Sequence, residues 1–252
     1  MSEQTVYVYG VARASTCRAI STRGVEAARV RTLEHAGLAA LVSDVRGDAL
    51  AAAREVRAHW RVLDEASESC TLIPVRFGTV MENEDAVREH VLAPNAERLD
   101  GLLRELDGRV QLTLKGDYDE PRLMRDVLRE SPAVARLRDG LRSLPEEAGY
   151  YDRIRLGELV AAQVGHRRAE DTRIALETLE PLAVAVKEEQ VTHPDSAFNL
   201  SFLIDRDRQE AFNQGVRELA DRLGERIAIR YVGPLPPYSF ANVELETEAA
   251  WV

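Results

Sequence analysis

The sequence predicts an α+β protein of two ferredoxin-like (split βαβ) domains, the second with an enlarged helical insertion and a proline-rich, extended C-terminal tail. Three observations predict this class. Segments rich in β-branched and aromatic residues with period-two alternation indicate strands. Segments with apolar residues three and four positions apart indicate helices. The order strand, crossover, strand, strand, helix, strand occurs twice in the 252 residues, which places the domains at 1–107 and 108–252.

The first half begins with a strand at Val6–Val11, where apolar residues alternate with tyrosines. Glu34–Gly37 is typical of a tight turn because glycine tolerates a positive φ, and it predicts a hairpin. The predicted elements that follow are strands Arg29–Leu33 and Leu38–Val45, a helix from an Asp48 N-cap to about Ser67, a strand at Thr71–Val75, and a helix from Glu82 to Asp107 that breaks at Ala93 before Pro94. In the helix that follows Asp48, the stripe Ala52, Val56, Trp60 and Leu63 is expected to be buried.

The second half repeats this order with a larger first crossover. A strand at Val110–Lys115 precedes a helical insertion at 119–178, which breaks at Ser131-Pro132. The remaining predicted elements are strands Leu182–Val191 and Phe198–Asp205, a helix capped by Asp207 and ended by Gly224, and a last strand at Ile227–Tyr231. The tail occupies 233–252. Its three prolines predict that 233–240 lies extended against a surface without extending the last sheet.

Charge and composition exclude several classes of protein. The formal net charge is −10, which argues against a general nucleic-acid binder because such a protein needs a positive face. The sequence has neither an apolar run long enough to span a bilayer nor the pattern of a signal peptide, so we expect a cytoplasmic protein without membrane contact. Its two cysteines, Cys17 and Cys70, are predicted to be free thiols.

The common catalytic and cofactor motifs are absent, and the five histidines show no spacing typical of metal ligands. We therefore predict no enzyme activity, no cofactor and no metal. The competing hypothesis is an enzyme that works through His59, Arg76 and Glu82. It requires these side chains to converge in one cleft with perturbed pKa values.

Two segments have features of functional sites. Arg76-Phe77-Gly78-Thr79 follows a strand and precedes a helix, so it is either an anion-binding turn or a structural corner with Phe77 buried and Arg76 paired to an acidic residue. The segment Pro236-Pro237-Tyr238-Ser239-Phe240 is either a strap over its own domain or a recognition element. In an extended chain Tyr238 and Phe240 point to the same side and form a paired anchor.

These two segments carry a resemblance to a known family. Pro74-Val75-Arg76-Phe77-Gly78-Thr79-Val80, preceded by His59 on a helix, resembles the LP-x-RFGT block of the gas vesicle protein GvpL/GvpF family. Gly233-Pro234-Leu235-Pro236-Pro237-Tyr238-Ser239-Phe240 is similar to its GPWPPYSF ending, with Leu235 at the usual tryptophan. The strands Val6–Val11 and Leu38–Val45 also resemble the family's, so the resemblance covers essentially the whole chain.

The resemblance implies a non-enzymatic accessory or minor structural protein of gas vesicles with two α/β domains. It implies the shell protein GvpA and other accessory Gvp proteins as partners, and a role in shell assembly by nucleation or by chaperoning shell subunits. An apolar shell subunit aggregates unless its apolar face is covered. The expected contact residues are Arg76, Phe77, Pro236, Pro237, Tyr238 and Phe240. The alternative is a two-domain ligand-sensing module without catalysis, which is expected to have a closed polar pocket where an assembly protein has exposed apolar grooves.

Overall fold

A computed structural model describes residues 5–46, 52–145, 148–191 and 193–241. The chain forms two compact units, one built from the residues up to Gln111 together with those from Pro234 onward, the other from Leu112–Gly233. The prediction placed the tail in the second domain, and on this point it was wrong. Tyr238 packs against the core of the first unit, and the Ser239 N–H donates to Gln111 Oε1 at 2.8 Å, so the tail belongs to that unit.

The first unit has an antiparallel sheet in which the strand order is β2-β3-β1-β4, and β5 also pairs with β1. The strands are β1 (Thr5–Arg13), β2 (Arg31–His35), β3 (Leu38–Val45), β4 (Leu72–Pro74) and β5 (Val80–Met81). The helices are α1 (Ala53–Ser69), α2 (Glu84–Ala86), which continues as a π-helical segment (Val87–Leu92), and α3 (Ala96–Glu105). Between β1 and β2 the crossover contains a 3₁₀ turn at Val25–Ala27 and an isolated β-bridge between Arg23 and Arg29.

Local sequence signals account for several of these elements. The β2–β3 hairpin turns through Ala36 and Gly37, with φ values of 49° and 81°, the backbone that a two-residue hairpin turn requires. The helical segment after β5 begins at the Asn83 cap, whose side chain accepts the Ala86 N–H at 2.8 Å. It is interrupted between Leu92 and Ala96, around Pro94, so the predicted break is confirmed.

Helix α1 departs from the prediction in two respects. Its described residues start at Ala53, after an N-cap at Ala52 without a side-chain hydrogen bond, and Asp48 lies outside the described residues. Its buried face consists of Glu55, Ala58, His59, Val62, Leu63 and Ala66. The predicted stripe was wrong at Trp60, which is 40% exposed.

The second sheet has the order β7-β8-β6-β9. The remaining strands are β6 (Arg109–Tyr118), β7 (Ala185–Glu188), β8 (Ser196–Asp205) and β9 (Ile227–Leu235), and the helices are α4 (Glu120–Glu130), α5 (Pro132–Leu141), α6 (Tyr150–Leu179) and α7 (Gln209–Leu223). Strand β7 is shorter than predicted because a 3₁₀ turn occupies Glu180–Leu182. Asp207 lies within a 3₁₀ turn that precedes α7, so it is not the predicted cap. Gly224, with φ at 59°, ends α7 as predicted.

A buried carboxylate in the second unit joins three of its elements. Asp171 on α6 is 1% exposed, and it accepts hydrogen bonds from Tyr118 Oη at 2.9 Å and from Arg226 Nη2 at 2.8 Å. Burial, followed by the nearby Asp171 charge, raises the pKa of Tyr118. The ion pair and the hydrogen bond together compensate for the removal of the Asp171 charge from water.

The tail differs from its predicted conformation. Strand β9 runs to Leu235 and therefore includes Gly233 and Pro234, which the prediction placed outside the sheet. A proline lacks a ladder N–H, and it is tolerated here because β9 is an edge strand. After it the chain turns at Tyr238–Phe240, with the Phe240 N–H donating to the Pro237 carbonyl at 3.0 Å. The prediction of an extended 233–240 segment was thus wrong.

Both sheets follow the strand order second, third, first, fourth of their own set. The mixed α/β class with two antiparallel sheets is confirmed, whereas the narrower ferredoxin-like assignment stays a prediction. None of the helices in the described part of the chain is both apolar enough and long enough to cross a membrane.

Candidate functional site

The two sequence motifs meet on helix α1 of the first unit. His59 on α1 contacts the ring of Phe77, with centroids 5.5 Å apart and planes at 88°. The neighbouring Trp60 contacts Tyr238 of the tail, with centroids 4.6 Å apart and planes at 90°. His59 and Trp60 also contact each other, at 5.6 Å and 89°. Edge-to-face contacts of this kind are favourable between aromatic rings. We call Phe77, His59, Trp60 and Tyr238 the aromatic cluster.

The imidazole of His59 is the buried centre of this cluster. It stacks on Tyr9, and its Nδ1 lies 2.9 Å from Tyr7 Oη. Tyr7 Oη also accepts the backbone N–H of Gly78 at 3.0 Å, and the imidazole tautomer decides which atom of the Tyr7–His59 pair donates. Burial lowers the pKa of His59 from 6.5 to about 4, and the ring is therefore uncharged at neutral pH.

The Arg76–Thr79 segment forms a tight turn that is held from two sides. The Thr79 N–H and Oγ1 both donate to the Arg76 carbonyl, at 3.2 and 2.8 Å. Gly78 has φ at 91°, a conformation that glycine adopts without strain. Because the Gly78 N–H already donates to Tyr7, it is not available to a bound anion. These contacts favour the structural corner over the anion-binding turn.

Arg76 is exposed on this corner. The corner hypothesis expected it to pair with an acidic residue, and this was wrong, because no ion pair of Arg76 is found across the described ranges. Phe77 is half-buried between Tyr7 and His59. The corner therefore presents a cation that has no ion pair among the described residues, beside an aromatic ring that is only partly covered.

The tail contributes to the site mainly through Tyr238. Pro236 and Pro237 are buried, whereas Tyr238 and Phe240 are half-buried. Tyr238 packs on Trp60, and burial followed by the nearby Asp64 charge raises its pKa. Because the segment is a turn, the predicted same-side anchor of an extended chain is not formed. Of the six predicted contact residues, Phe77 and Tyr238 are joined through the aromatic cluster, and Arg76 flanks it.

The cluster also includes a residue that the prediction misplaced. Trp60 was expected in the buried stripe of α1, but the buried face is set by Glu55 and His59. The Glu55 carboxylate accepts the Glu26 N–H at 2.8 Å and pairs with Arg54, so a polar residue occupies a core position. Apolar periodicity alone does not identify such a face. The available signal in the sequence was that Trp60 is adjacent to His59, the helical residue that precedes the Pro74–Val80 motif.

The enzymatic arrangement of His59, Arg76 and Glu82 has no support in these contacts. His59 is enclosed by aromatic rings and hydrogen-bonded to Tyr7, whereas Arg76 and Glu82 are exposed. In the residues that the structure describes, no three His, Cys, Asp or Glu side chains are grouped to hold a metal ion. The geometry of the site supports packing and surface contact.

Comparison with known proteins identifies the family. The profile described as "Gas vesicle synthesis protein GvpL/GvpF" matches residues 5–242. The chain belongs to the GvpL/GvpF family. The resemblance stated from the two motifs is thereby confirmed, and gas vesicle function is the functional context of this family member. The family is one of gas vesicle structural or accessory proteins and is not a known enzyme family.

Individual relatives agree with this assignment. Gas vesicle protein F of Streptomyces sp. (strain CB03234) is 34% identical over 247 residues, which covers 94% of this chain and 100% of the relative. The crystal structure of GvpF from Anabaena sp. PCC7120 has a TM-score of 0.80 at 25% identity and covers 96% of this chain and 99% of that one. The crystal structure of GvpF from Microcystis aeruginosa has a TM-score of 0.76 at 26% identity, with 95% and 99% coverage.

Proposed function

We propose that this GvpL/GvpF family member binds the gas vesicle shell protein GvpA, and other accessory Gvp proteins, in the cytoplasm and assists vesicle assembly. The observation that carries the proposal is the aromatic cluster, which joins the family's two motifs on α1. The binding surface consists of the exposed part of Trp60, the half-buried rings of Phe77 and Tyr238, and Arg76.

The chemistry of this surface suits an apolar partner. Trp60 is 40% exposed although it is a large aromatic residue. Tryptophan, tyrosine and arginine are enriched among the residues that dominate binding energy, because they combine large apolar area with a polar group. A shell subunit with an exposed apolar face gains by covering it until assembly. The site offers apolar rings for that face, and Arg76 offers a charge for a carboxylate at its edge.

The tail holds part of this surface in place through its contacts with Trp60 and Gln111. Tyr238 fixes one edge of the Trp60 indole, and the Ser239 N–H anchors the turn to Gln111. A side chain held in one orientation loses less entropy on binding than a free one. The proline motif therefore serves the binding surface by positioning Trp60, in addition to any direct contact that Pro236, Pro237 or Phe240 makes.

The proposal is tested by replacing Arg76 with glutamate. Arg76 is exposed and unpaired within the described residues, so the Arg76→Glu variant is expected to fold with an unchanged melting temperature. Its affinity for GvpA is expected to fall about tenfold, because reversing a charge at an interface costs on the order of 1–3 kcal/mol. Affinity is measured by biolayer interferometry on immobilised GvpA kept soluble as a fusion protein.

The matched control is Arg206→Glu, the same charge change at an exposed arginine of the second unit. It is expected to bind GvpA as the unchanged protein does. Equal binding by both variants and the unchanged protein would rule out the surface around Arg76. An equal loss in both variants would show that only net charge matters.

A further inference from the structure

The first sheet has an open edge at β2. This strand stands at one end of the strand order, and it pairs with β3 from Arg31 to His35. Within the described ranges, Thr32 and Glu34 form no backbone hydrogen bond with a segment outside the sheet. Both residues are exposed. A strand edge with free N–H and C=O groups is a template on which a further strand pairs.

The hairpin turn decides which backbone groups of β2 face outward. Its two turn residues both have a positive φ, and in such a turn the flanking pair exchanges backbone hydrogen bonds. That pair is His35 and Leu38. Hydrogen-bonded and non-hydrogen-bonded pairs alternate along an antiparallel ladder. The N–H and C=O groups of Thr32 and Glu34 therefore point away from β3, toward the open side.

A cavity of about 460 Å³ lies beside the start of this edge. Its apolar lining includes Ile20, Val30 and Leu41, and Thr32 lines it as well. Thr32 is the cross-strand partner of Leu41. Side chains of directly paired residues lie on the same face of a sheet. A residue that pairs with Thr32 from the open side therefore presents its side chain to the face on which the cavity lies.

The rim of the cavity carries positive charge. Arg18 and Arg29 both line the cavity, both are exposed, and neither has an ion pair among the residues that the structure describes. Arg31 also lines it, but its charge is paired with that of Asp44 at 2.8 Å. The net charge of the chain is −10, so the rim is a positive region on an acidic protein. Charge complementarity favours a carboxylate here.

Glu34 gives the edge a direction. Its side chain lies on the same face as that of Thr32, because residues two apart in a strand share a face. The edge is thus positive near Arg29 and negative at Glu34. A strand that pairs here in the antiparallel sense meets Glu34 first, then Thr32, then Val30. The complementary segment has a basic, an apolar and an acidic residue at every second position, in that order.

We propose that the open edge of β2 binds such an extended segment of a partner protein as an additional antiparallel strand. The backbone groups of Thr32 and Glu34 bind the backbone of the segment, the mode of recognition known as β-strand addition. The apolar side chain opposite Thr32 covers the cavity, and the carboxylate opposite Val30 pairs with Arg29. The site does not include the aromatic cluster and does not rest on the proposed GvpA surface.

The test uses the full chain and a fluorescein-labelled peptide, Thr-Lys-Thr-Val-Thr-Glu-Thr, with binding followed by fluorescence anisotropy. Two matched peptides are expected to bind about tenfold more weakly. In one, the lysine and the glutamate are exchanged, which reverses the charge order without changing the composition. In the other, the valine nitrogen is methylated, which removes the N–H that pairs with Thr32. Hydrogen exchange at the Thr32 and Glu34 amides is expected to slow when the first peptide binds.

Variants of the protein locate the site. Arg29→Glu is expected to bind the first peptide about tenfold more weakly, whereas Arg206→Glu and Arg76→Glu are expected to bind it as the unchanged protein does. The proposal is overturned if the protein does not bind the peptide, or if all three peptides bind equally. Slow exchange at Thr32 and Glu34 without peptide also overturns it, because the edge is then already covered by a second copy or by another part of the chain.

Discussion

Replacing both Tyr238 and Phe240 with alanine is expected to destabilise the first unit by about 2–4 kcal/mol and to lower its melting temperature by roughly 5–10 °C. Both rings are half-buried, so the expected cost is below that of two fully buried aromatic residues. Tyr238 packs perpendicular to Trp60 at 4.6 Å, and its loss leaves one side of the indole uncovered. The measurement is thermal unfolding followed by tryptophan fluorescence.

The matched variant is Tyr238→Phe, which keeps the ring on Trp60 and removes only the hydroxyl. That hydroxyl is buried and makes no hydrogen bond of good geometry within the described residues. We therefore expect a change in stability within about 0.5 kcal/mol of the unchanged protein. A large loss in this variant would mean that the hydroxyl beside Asp64, and not the ring, holds the tail.

The same double variant separates two roles of the tail. If the tail is a strap over the first unit, the double variant has a lower melting temperature. If the tail is purely a recognition element, the variant keeps its melting temperature and loses GvpA binding. The contacts with Trp60 and Gln111 favour the strap. We expect weaker GvpA binding as a secondary effect, measured well below the melting temperature, because Trp60 is no longer held in one orientation. Unchanged stability together with unchanged binding contradicts both roles.

Much of the fold was predictable because its local signals agree with the tertiary structure. Period-two alternation located β1, β6 and β8, and the turn chemistry at Gly37 located the hairpin. Ser131 and Pro132 predicted the break between α4 and α5, where the Ser131 Oγ accepts the Val134 N–H. These features depend on a few adjacent residues, so one sequence suffices to identify them.

The errors concern properties that distant residues decide. The buried face of α1 includes Glu55 because the Glu26 N–H and Arg54 satisfy its carboxylate, and neither partner is implied by periodicity. Strand β9 continues through Pro234 because it is an edge strand. Its place at the edge is set by the strand order of the sheet, which the residues of β9 do not reveal. Residues 236–241 fold into a turn on the first unit because Trp60 and Gln111 lie there. The six predicted contact residues belong to two motifs that are far apart in the sequence. Only the fold shows that His59 and Trp60 connect these motifs.

Stability is expected to fall as the pH decreases from 6.5 toward 4, and His59 is the expected cause. Its pKa in the folded protein is about 4, lowered from 6.5 by burial. In this range the unfolded chain binds a proton at His59 that the folded protein does not, so lowering the pH favours unfolding. The shift corresponds to a loss of about 3 kcal/mol by pH 4, at 1.36 kcal/mol per pKa unit. Above pH 6.5 His59 is neutral in both the folded and the unfolded protein, so it causes no loss of stability there.

The range from pH 6.5 to 4.5 isolates His59 best, because the carboxylates Glu55 and Glu65, whose pKa values are lowered by hydrogen bonds, remain ionised there. Urea unfolding at several pH values is expected to show a falling free energy of unfolding in the unchanged protein. His59→Gln keeps an acceptor for the Tyr7 hydroxyl but does not titrate, so its stability, although lower, is expected to be nearly independent of pH in this range. His90→Gln, at an exposed histidine, is expected to retain the original pH dependence. If His59→Gln retains it as well, the imidazole enclosed by Tyr7, Tyr9 and Phe77 is not the group whose protonation destabilises the fold.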